Sequence, residues 1–330
     1  MSLFKNLIVF RITPAWLAPP IEQLEAELQR LSFQPCGATQ EHSVGWVPPR
    51  GDEHGAMVEI VGGQWILKLA VERKAVPAGA VRAELEARCK AIEAQQGRKP
   101  GRKEKSELKD EIVHAFLPRA FSKRSAHVIW LDPEARLLFV GASSSRAAEP
   151  VLKQLGDVMA EIRHVLPLSP LSTATSPAAA MAHWLTSQEP PVGFTIDRDL
   201  ELRNAGEERS VVRYAHHTLE LDEIGQHIQE GKLPTQLAMT WEGQVSFVLT
   251  ETLVLRKLDL HGVDEALGPD KGFDADAAIA TGEIALLFPE LLQALGGEID
   301  LGSPAPANPL PATPQGDDAG GPAPWEEAVA

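Results

Sequence analysis

Cysteine is almost absent: Cys36 and Cys89 are the two thiols in 330 residues, too few and too far apart for a disulfide framework or a thiolate metal site. Both are expected to be buried thiols. Long apolar runs are missing as well. The N-terminal MSLFKNLIVFRITPAW offers only LIVF before Arg11, neither a signal core nor close to the ~20 apolar residues of a membrane span. It reads as the first β-strand of a cytoplasmic protein. Catalytic signatures are also lacking: there is no Walker lysine loop, no G-x-G-x-x-G after a strand, no G-x-S-x-G, no H-E-x-x-H and no C-x-x-C. His216 and His217 with His227 and His261 come nearest to a metal set, but adjacent histidines on a strand point to opposite faces. Asp197, Asp199 and Glu201 alternate along one run and read as a solvated strand face rather than a two-metal centre. The expectation is a protein that is not an enzyme and needs no metal or cofactor.

What the chain does have is an uneven distribution of charge. Lys and Arg number 31 against 46 Asp and Glu, a net of −15. Residues 1–188 hold 23 basic and 20 acidic side chains, a net of +3, while residues 189–330 hold 8 and 26, a net of −18. Within the first part, RKPGRKEK at 98–105 has five basic residues out of eight, and residues 98–124 sum to +5. A local positive surface on a negative body attracts a polyanion at one place and repels it elsewhere.

Periodicity sorts the chain into an α+β fold of mainly antiparallel sheets with packed helices. NLIVFRIT (6–13), GAMVEIVGG (55–63) and QWILKLAVER (64–73) read as strands, the last two joined at Gly-Gly. PIEQLEAELQRL (20–31) reads as a helix and GWVPPRG (45–51) as a proline-fixed turn. Over 77–118 the pattern becomes a helical hairpin. Its first helix carries Val81, Leu85, Cys89 and Ile92 on one stripe, and its second starts at an N-cap Ser106. A β-hairpin turned at Asp132 and Pro133 follows, then a helix near 145–164. The acidic half repeats strands and helices and closes with FDADAAIATGEIALLFPELLQALGG, which Pro289 should kink. The expected organisation is a central α+β domain from 1–74 and 126–170, an inserted helical tip with a basic turn at 75–125, an acidic α+β base domain at 171–301, and a disordered Pro/Ala-rich tail at 302–330.

The basic turn has two readings on its residues alone. One is a solvated turn offset by Glu104, Glu107, Asp110 and Glu111; the other is a phosphate clamp, in which cations gain by releasing counterions and no base edge is read. Arg119, Lys123 and Arg124 around Phe121 form a second basic cluster, and Phe121 fits a core residue, a wedge on nucleic acid or a plug at a subunit interface.

The segments LFKNLIVFRIT, FQPCGATQ, GWVPP, ELKDEIVHAFLPRAFSKRS, VIWLD, DEIGQHIQEGKLPTQLAMTW and the closing FDADAAIATGEIALLFPELLQALGG, in this order, strongly resemble the RdgC family of bacterial recombination-associated proteins. The resemblance spans residues 1 to about 298. It implies a ring-shaped homodimer, found in the cytoplasm with the nucleoid, whose positive bore takes double-stranded DNA with little sequence preference, and single strands as well. By occupying DNA such a ring limits RecA-dependent recombination, and a negative exterior would guide the duplex inward. Carried over residue by residue, the family's basic tip cluster falls on Arg98, Lys99 and Arg102, and its Pro-Arg-Ala-Phe motif on Pro118 to Phe121, which favours Phe121 as the dimer-interface plug. The DNA-contacting set is then Arg98, Lys99, Arg102, Lys103, Lys105, Arg119, Lys123, Arg124, His216 and His217. Two departures stand out: Pro100 and Gly101 interrupt the basic run, and His216 and His217 stand where relatives often carry Lys and Gln. The rival expectation is an interaction protein that inhibits the recombinase by direct contact, with DNA binding secondary.

Overall fold

The structure is a computed structural model, and it describes residues 3–204, 210–216, 219–261 and 272–299. His217 and the expected tail at 302–330 lie outside the described residues.

One antiparallel sheet organises the molecule. Its strands are β1 (Asn6–Ile12), β2 (His42–Trp46), β3 (Glu59–Val61), β4 (Gln64–Ala75), β5 (Phe121–Asp132), β6 (Leu137–Val140), β7 (Leu168–Pro170), β8 (Phe194–Asn204), β9 (Val211–Tyr214), β10 (Lys232–Trp241), β11 (Val245–Thr250) and β12 (Leu255–Leu260). The spatial order is β2-β4-β5-β6-β1-β12-β11-β10-β8-β9, with β3 beside β4 and β7 beside β1. The two halves of the chain therefore share a sheet, joined where Asn6 and Leu7 pair with Arg256 and Leu255. Among the described residues there are seven α-helices: α1 (Ile21–Arg30), α2 (Ala78–Gln96), α3 (Arg102–Phe116), α4 (Ser145–Glu161), α5 (Pro177–Ser187), α6 (Leu221–Gln229) and α7 (Phe273–Ala294).

The period-2 alternation of the N-terminal strands explains the layering. Ile8, Leu67, Leu69, Ile129, Leu138 and Val140 face one way and pack with Leu24 and Leu28 of α1 and with Val151, Leu155 and Val158 of α4. Their neighbours Leu7, Val9, Ile66, Trp130 and Phe139 face the other way and join Ile284, Leu287, Phe288 and Leu291 of α7. Strands buried on both faces read as continuous apolar runs, and LIVF and LLFV have that form. Trp130 stacks on Phe139 at 3.9 Å, and Phe139 meets Phe288 edge-on at 5.5 Å. Such aromatic pairs contribute ~0.5–1.5 kcal/mol beyond their burial and here tie the sheet to the final helix. Arg50 adds a polar tie: it bonds Glu59 at 2.9 Å and Asp274 at 2.5 Å, and lies 4.9 Å from the centre of the Phe273 ring.

Several local expectations change. GWVPPRG is not a turn from its first residue, since Gly45 and Trp46 complete β2 and pair with Ala70 and Leu69. A Cβ at Gly45 would lie 2.4 Å from Phe33 Cα, so the glycine there is a packing requirement. Of GAMVEIVGG only Glu59–Val61 is strand. α3 begins at Arg102 rather than at Ser106. The hairpin at Asp132 forms as expected, and its carboxylate accepts the N–H groups of Glu134 (3.0 Å) and Ala135 (2.8 Å). Pro289 lies within a single helical span in α7. Cys36 and Cys89 are half-buried rather than buried. For Cys89 the reason is geometric: within the two helices themselves only Val81 of α2 and Ile112 of α3 are buried, because two helices shield each other on one side only.

Candidate nucleic-acid interface

The chain between β4 and β5 is a two-helix insert, and local sequence sets its turn. Gly97 closes α2 in the left-handed region at φ 66°, with its N–H donating to the Glu93 carbonyl at 2.9 Å. Gly101 then caps α3 in extended conformation, and its N–H reaches the Glu104 carboxylate at 3.4 Å. Arg102, Lys103 and Lys105 consequently occupy the first turn of α3, where the helix dipole and its open N–H groups are already positive. Glu104 is the acidic residue of that turn.

The expected DNA-contacting cations of this segment divide into two sets. Arg98 bonds Glu104 at 2.7 Å, Lys99 lies 3.8 Å from Glu93, and Lys103 lies 3.9 Å from Glu107. The Arg98 hydrogen bond holds the Glu104 carboxyl below the usual carboxylate range, against a smaller upward push from burial. Among the described residues, no ion pair or hydrogen bond engages the side chains of Arg102, Lys105, Arg119 or Lys123. The segment is thus partly self-neutralised and partly open to an external anion.

Below the insert, β4 and β5 pair over their whole length, and the two faces of this ribbon differ in charge. On one face Arg124 lies opposite Glu72, bonds it at 3.0 and 3.2 Å and sits over the Phe33 ring at 4.5 Å. Those bonds hold the buried Glu72 carboxyl below its ordinary range. On the other face Lys123 lies opposite Arg73, which in turn lies opposite His42 of β2. Like charges directly opposite destabilise a ladder. Local periodicity singles out neither Arg73, whose strand partner Lys123 lies about 50 residues on, nor Arg146, which the packing of α4 brings beside them. Phe121 begins β5 opposite Ala75 and is 91% exposed.

In the C-terminal half Arg203, Arg213, Lys232 and Lys257 are each matched by a carboxylate. Glu201 is buried and bonds Thr235 (3.0 Å), Arg203 (3.1 Å) and Arg213 (3.1 Å). Asp199 accepts from the His216 N–H at 3.0 Å and from Lys257 Nζ at 3.1 Å. These carboxylates are therefore not a plain solvated face; they are ion-paired, and Glu201 is enclosed. His216 lies beyond the end of β9 at φ 52°, exposed, with its ring 3.7 Å from Asp199. His227 and His261 are engaged elsewhere, by Lys232 and Glu230 and by Gly243 and Ser246 respectively. Among the described residues no group of three or more His, Cys, Asp or Glu is placed to share a metal ion, and no helix is long and apolar enough to cross a membrane.

Fold and site together define an α+β protein built on one long antiparallel sheet, with a cationic two-helix insert carried between two of its strands. Within that class the chain belongs to the RdgC family: residues 2–298 match the family model described as "Putative exonuclease, RdgC". It is 42% identical over 308 residues to the recombination-associated protein RdgC of Dechloromonas aromatica, covering 90% of this chain and 98% of that protein. Similar relatives of the same name occur in Herminiimonas arsenicoxydans (42% over 303 residues, 89% and 98% covered) and Bordetella pertussis (40% over 301 residues, 89% and 98% covered).

Proposed function

We propose that the protein binds DNA without sequence specificity, encircling the duplex as a ring-shaped homodimer, and limits RecA-dependent recombination by occupying the DNA. Single strands bind to the same cations, the protein acts without a cofactor or nuclease activity, and it resides with the nucleoid. The observation that carries this reading is the open set Arg102, Lys105, Arg119 and Lys123. These four cations have no carboxylate partner among the described residues, in a chain whose net charge is −15. An unpartnered cation gains most from a phosphate, because binding releases a counterion from the DNA and breaks no internal pair. The paired residues Arg98, Lys99 and Lys103 contribute second, and the relatives' shared name supports the link to recombination.

The test is duplex affinity against salt for the parent and for Arg102→Ala/Lys105→Ala/Arg119→Ala. Three lost phosphate contacts should flatten the log–log slope by about 2.7, at ~0.9 per phosphate, and cost about 40-fold more affinity at 50 mM than at 200 mM salt. Inhibition of recombinase strand exchange should fall in parallel. Inhibition that survives while DNA binding is lost would favour direct contact with the recombinase, and cleavage of DNA on adding Mg²⁺ or Mn²⁺ would refute the non-enzymatic reading.

A further inference from the structure

The Arg73–Lys123 face of the ribbon forms one wall of a cleft of about 360 Å³, closed on the other side by the start of α4. Arg73, Lys123, Ser125 and His127 enter from the strands, Ser144 from the N-cap of α4 and Arg146 from its first turn. Three features separate it from an ordinary basic surface. First, among the described residues none of the side chains lining it is acidic. Second, Arg73, Lys123 and Arg146 are exposed at their tips and engaged by no ion pair or hydrogen bond among the described residues. Third, the register sets Lys123 directly against Arg73, a like-charge pair with no carboxylate opposite either residue. The adjacent step of the same ladder, Glu72 against Arg124, is an opposite-charge pair. The same two strands neutralise one face and leave the other positive.

A like-charge cross-strand pair costs stability unless something occupies the space between the charges. The comparable cleft in the C-terminal half, about 420 Å³ in volume, sets Asp199 and Glu201 among Arg213, Arg256 and Lys257, so most of its cationic charge is met from within. The ribbon cleft lacks such a counterion. His127 Nδ1 lies 2.9 Å from the Gly141 carbonyl and donates to it, which fixes the ring and leaves Nε2 as its remaining nitrogen. The Ser125 hydroxyl lies 3.4 Å from the Val71 carbonyl, so the strand wall is held in place.

We propose that this cleft is a phosphate-binding site, with Arg73, Lys123 and Arg146 supplying charge and His127 a further polar contact. It shares Lys123 with the open cations described above and adds Arg73 and Arg146, which lie outside the two helices. For the source of the phosphate it rests on the DNA reading above; for the existence of the site it does not. In a nucleic-acid complex it holds a backbone phosphodiester or a terminal phosphate monoester. Arginine provides a planar fork suited to phosphate oxygens, and a strand-borne site is held more rigidly than a loop.

The experiment compares the full-length parent, Arg73→Ala/Arg146→Ala and the charge-conserving Arg73→Lys/Arg146→Lys. The probes are a 30-bp duplex with 5′-hydroxyl ends, the same duplex with 5′-phosphate ends, and inorganic pyrophosphate by calorimetry. The alanine pair should lower the salt slope by about 1.8, at ~0.9 per phosphate. The lysine pair should keep the slope, and the alanine pair should melt no lower than the parent, because these side chains are exposed and the pair it removes is like-charged. Loss on both duplexes identifies a phosphodiester as the ligand, and loss only on the phosphorylated duplex identifies a terminal monoester. If the parent binds no duplex yet binds pyrophosphate, and the alanine pair does not, the DNA reading fails and the site stands. An alanine pair that keeps the parent's slope and its pyrophosphate binding overturns the proposal.

Discussion

Replacing Phe121 by alanine separates folding from assembly in one experiment. The side chain is 91% exposed at the first residue of β5, opposite Ala75, so removing it takes nothing from either hydrophobic core. Exposed substitutions of that kind cost within about 0.5 kcal/mol of folding stability. If Phe121 is the plug that closes a ring, nearly its whole ring becomes buried on assembly, for ~1.5–3 kcal/mol per side chain. A two-fold interface uses the same residue from both copies, so the dimer should lose roughly 3–6 kcal/mol. That corresponds to a dissociation constant raised by about 10² to 10⁴. Sedimentation equilibrium over a dilution series gives the constant, and a circular-dichroism melt checks the fold. A dimer constant within about threefold of the parent would refute the plug, and a melt lowered by several degrees would refute the claim that Phe121 is idle in the monomer.

Glu104→Gln frees Arg98 from its 2.7 Å pair, so duplex binding should become steeper in salt by up to ~0.9; an unchanged slope would mean Arg98 does not reach DNA. For Glu201, burial pushes the carboxyl up, but Arg213, Thr235 and Arg203 outweigh it and hold it below its ordinary value. A depressed carboxyl stabilises the fold above its unfolded value and loses that contribution as pH falls through the lower folded one. Glu201→Gln should therefore cost about 1–2 kcal/mol at pH 7, discounted for its partly exposed arginines, and progressively less below about pH 4. Denaturant melts at the two pH values check the sign. Gly45→Ala pushes a methyl group against the Phe33 backbone and should destabilise by about 1–3 kcal/mol, at the upper end because backbone yields less than side chain. A melt like the parent's would show that the Phe33 segment can shift.

Most elements were legible because they depend on neighbours a few residues away. The strand at LIVF, the α1 stripe Leu24 and Leu28, the Asp132 hairpin and the long final helix all follow from period and turn chemistry. The start of α3 was misread because Ser106 is a good cap in isolation, whereas the Gly101–Glu104 contact begins the helix a turn earlier. β2 was missed because the VPP that follows Trp46 signals a turn more strongly than HSVGW signals a strand.

The α+β class, the segregation of charge and the basic insert are legible in composition and period, which need no partner to be read. The many ordered matches also placed the chain in its family. Which cations lack a carboxylate partner among the described residues depends on how the chain folds. Arg98 and Arg124 look equivalent to Arg102 and Lys123 in the sequence, yet the fold gives the first two a carboxylate each and leaves the second two without one. It likewise brought Arg73 and Arg146 to Lys123 through strand register and helix packing. The physical reason is that electrostatic partnership depends on distances of a few ångströms, and those are set by pairings between residues far apart in the chain.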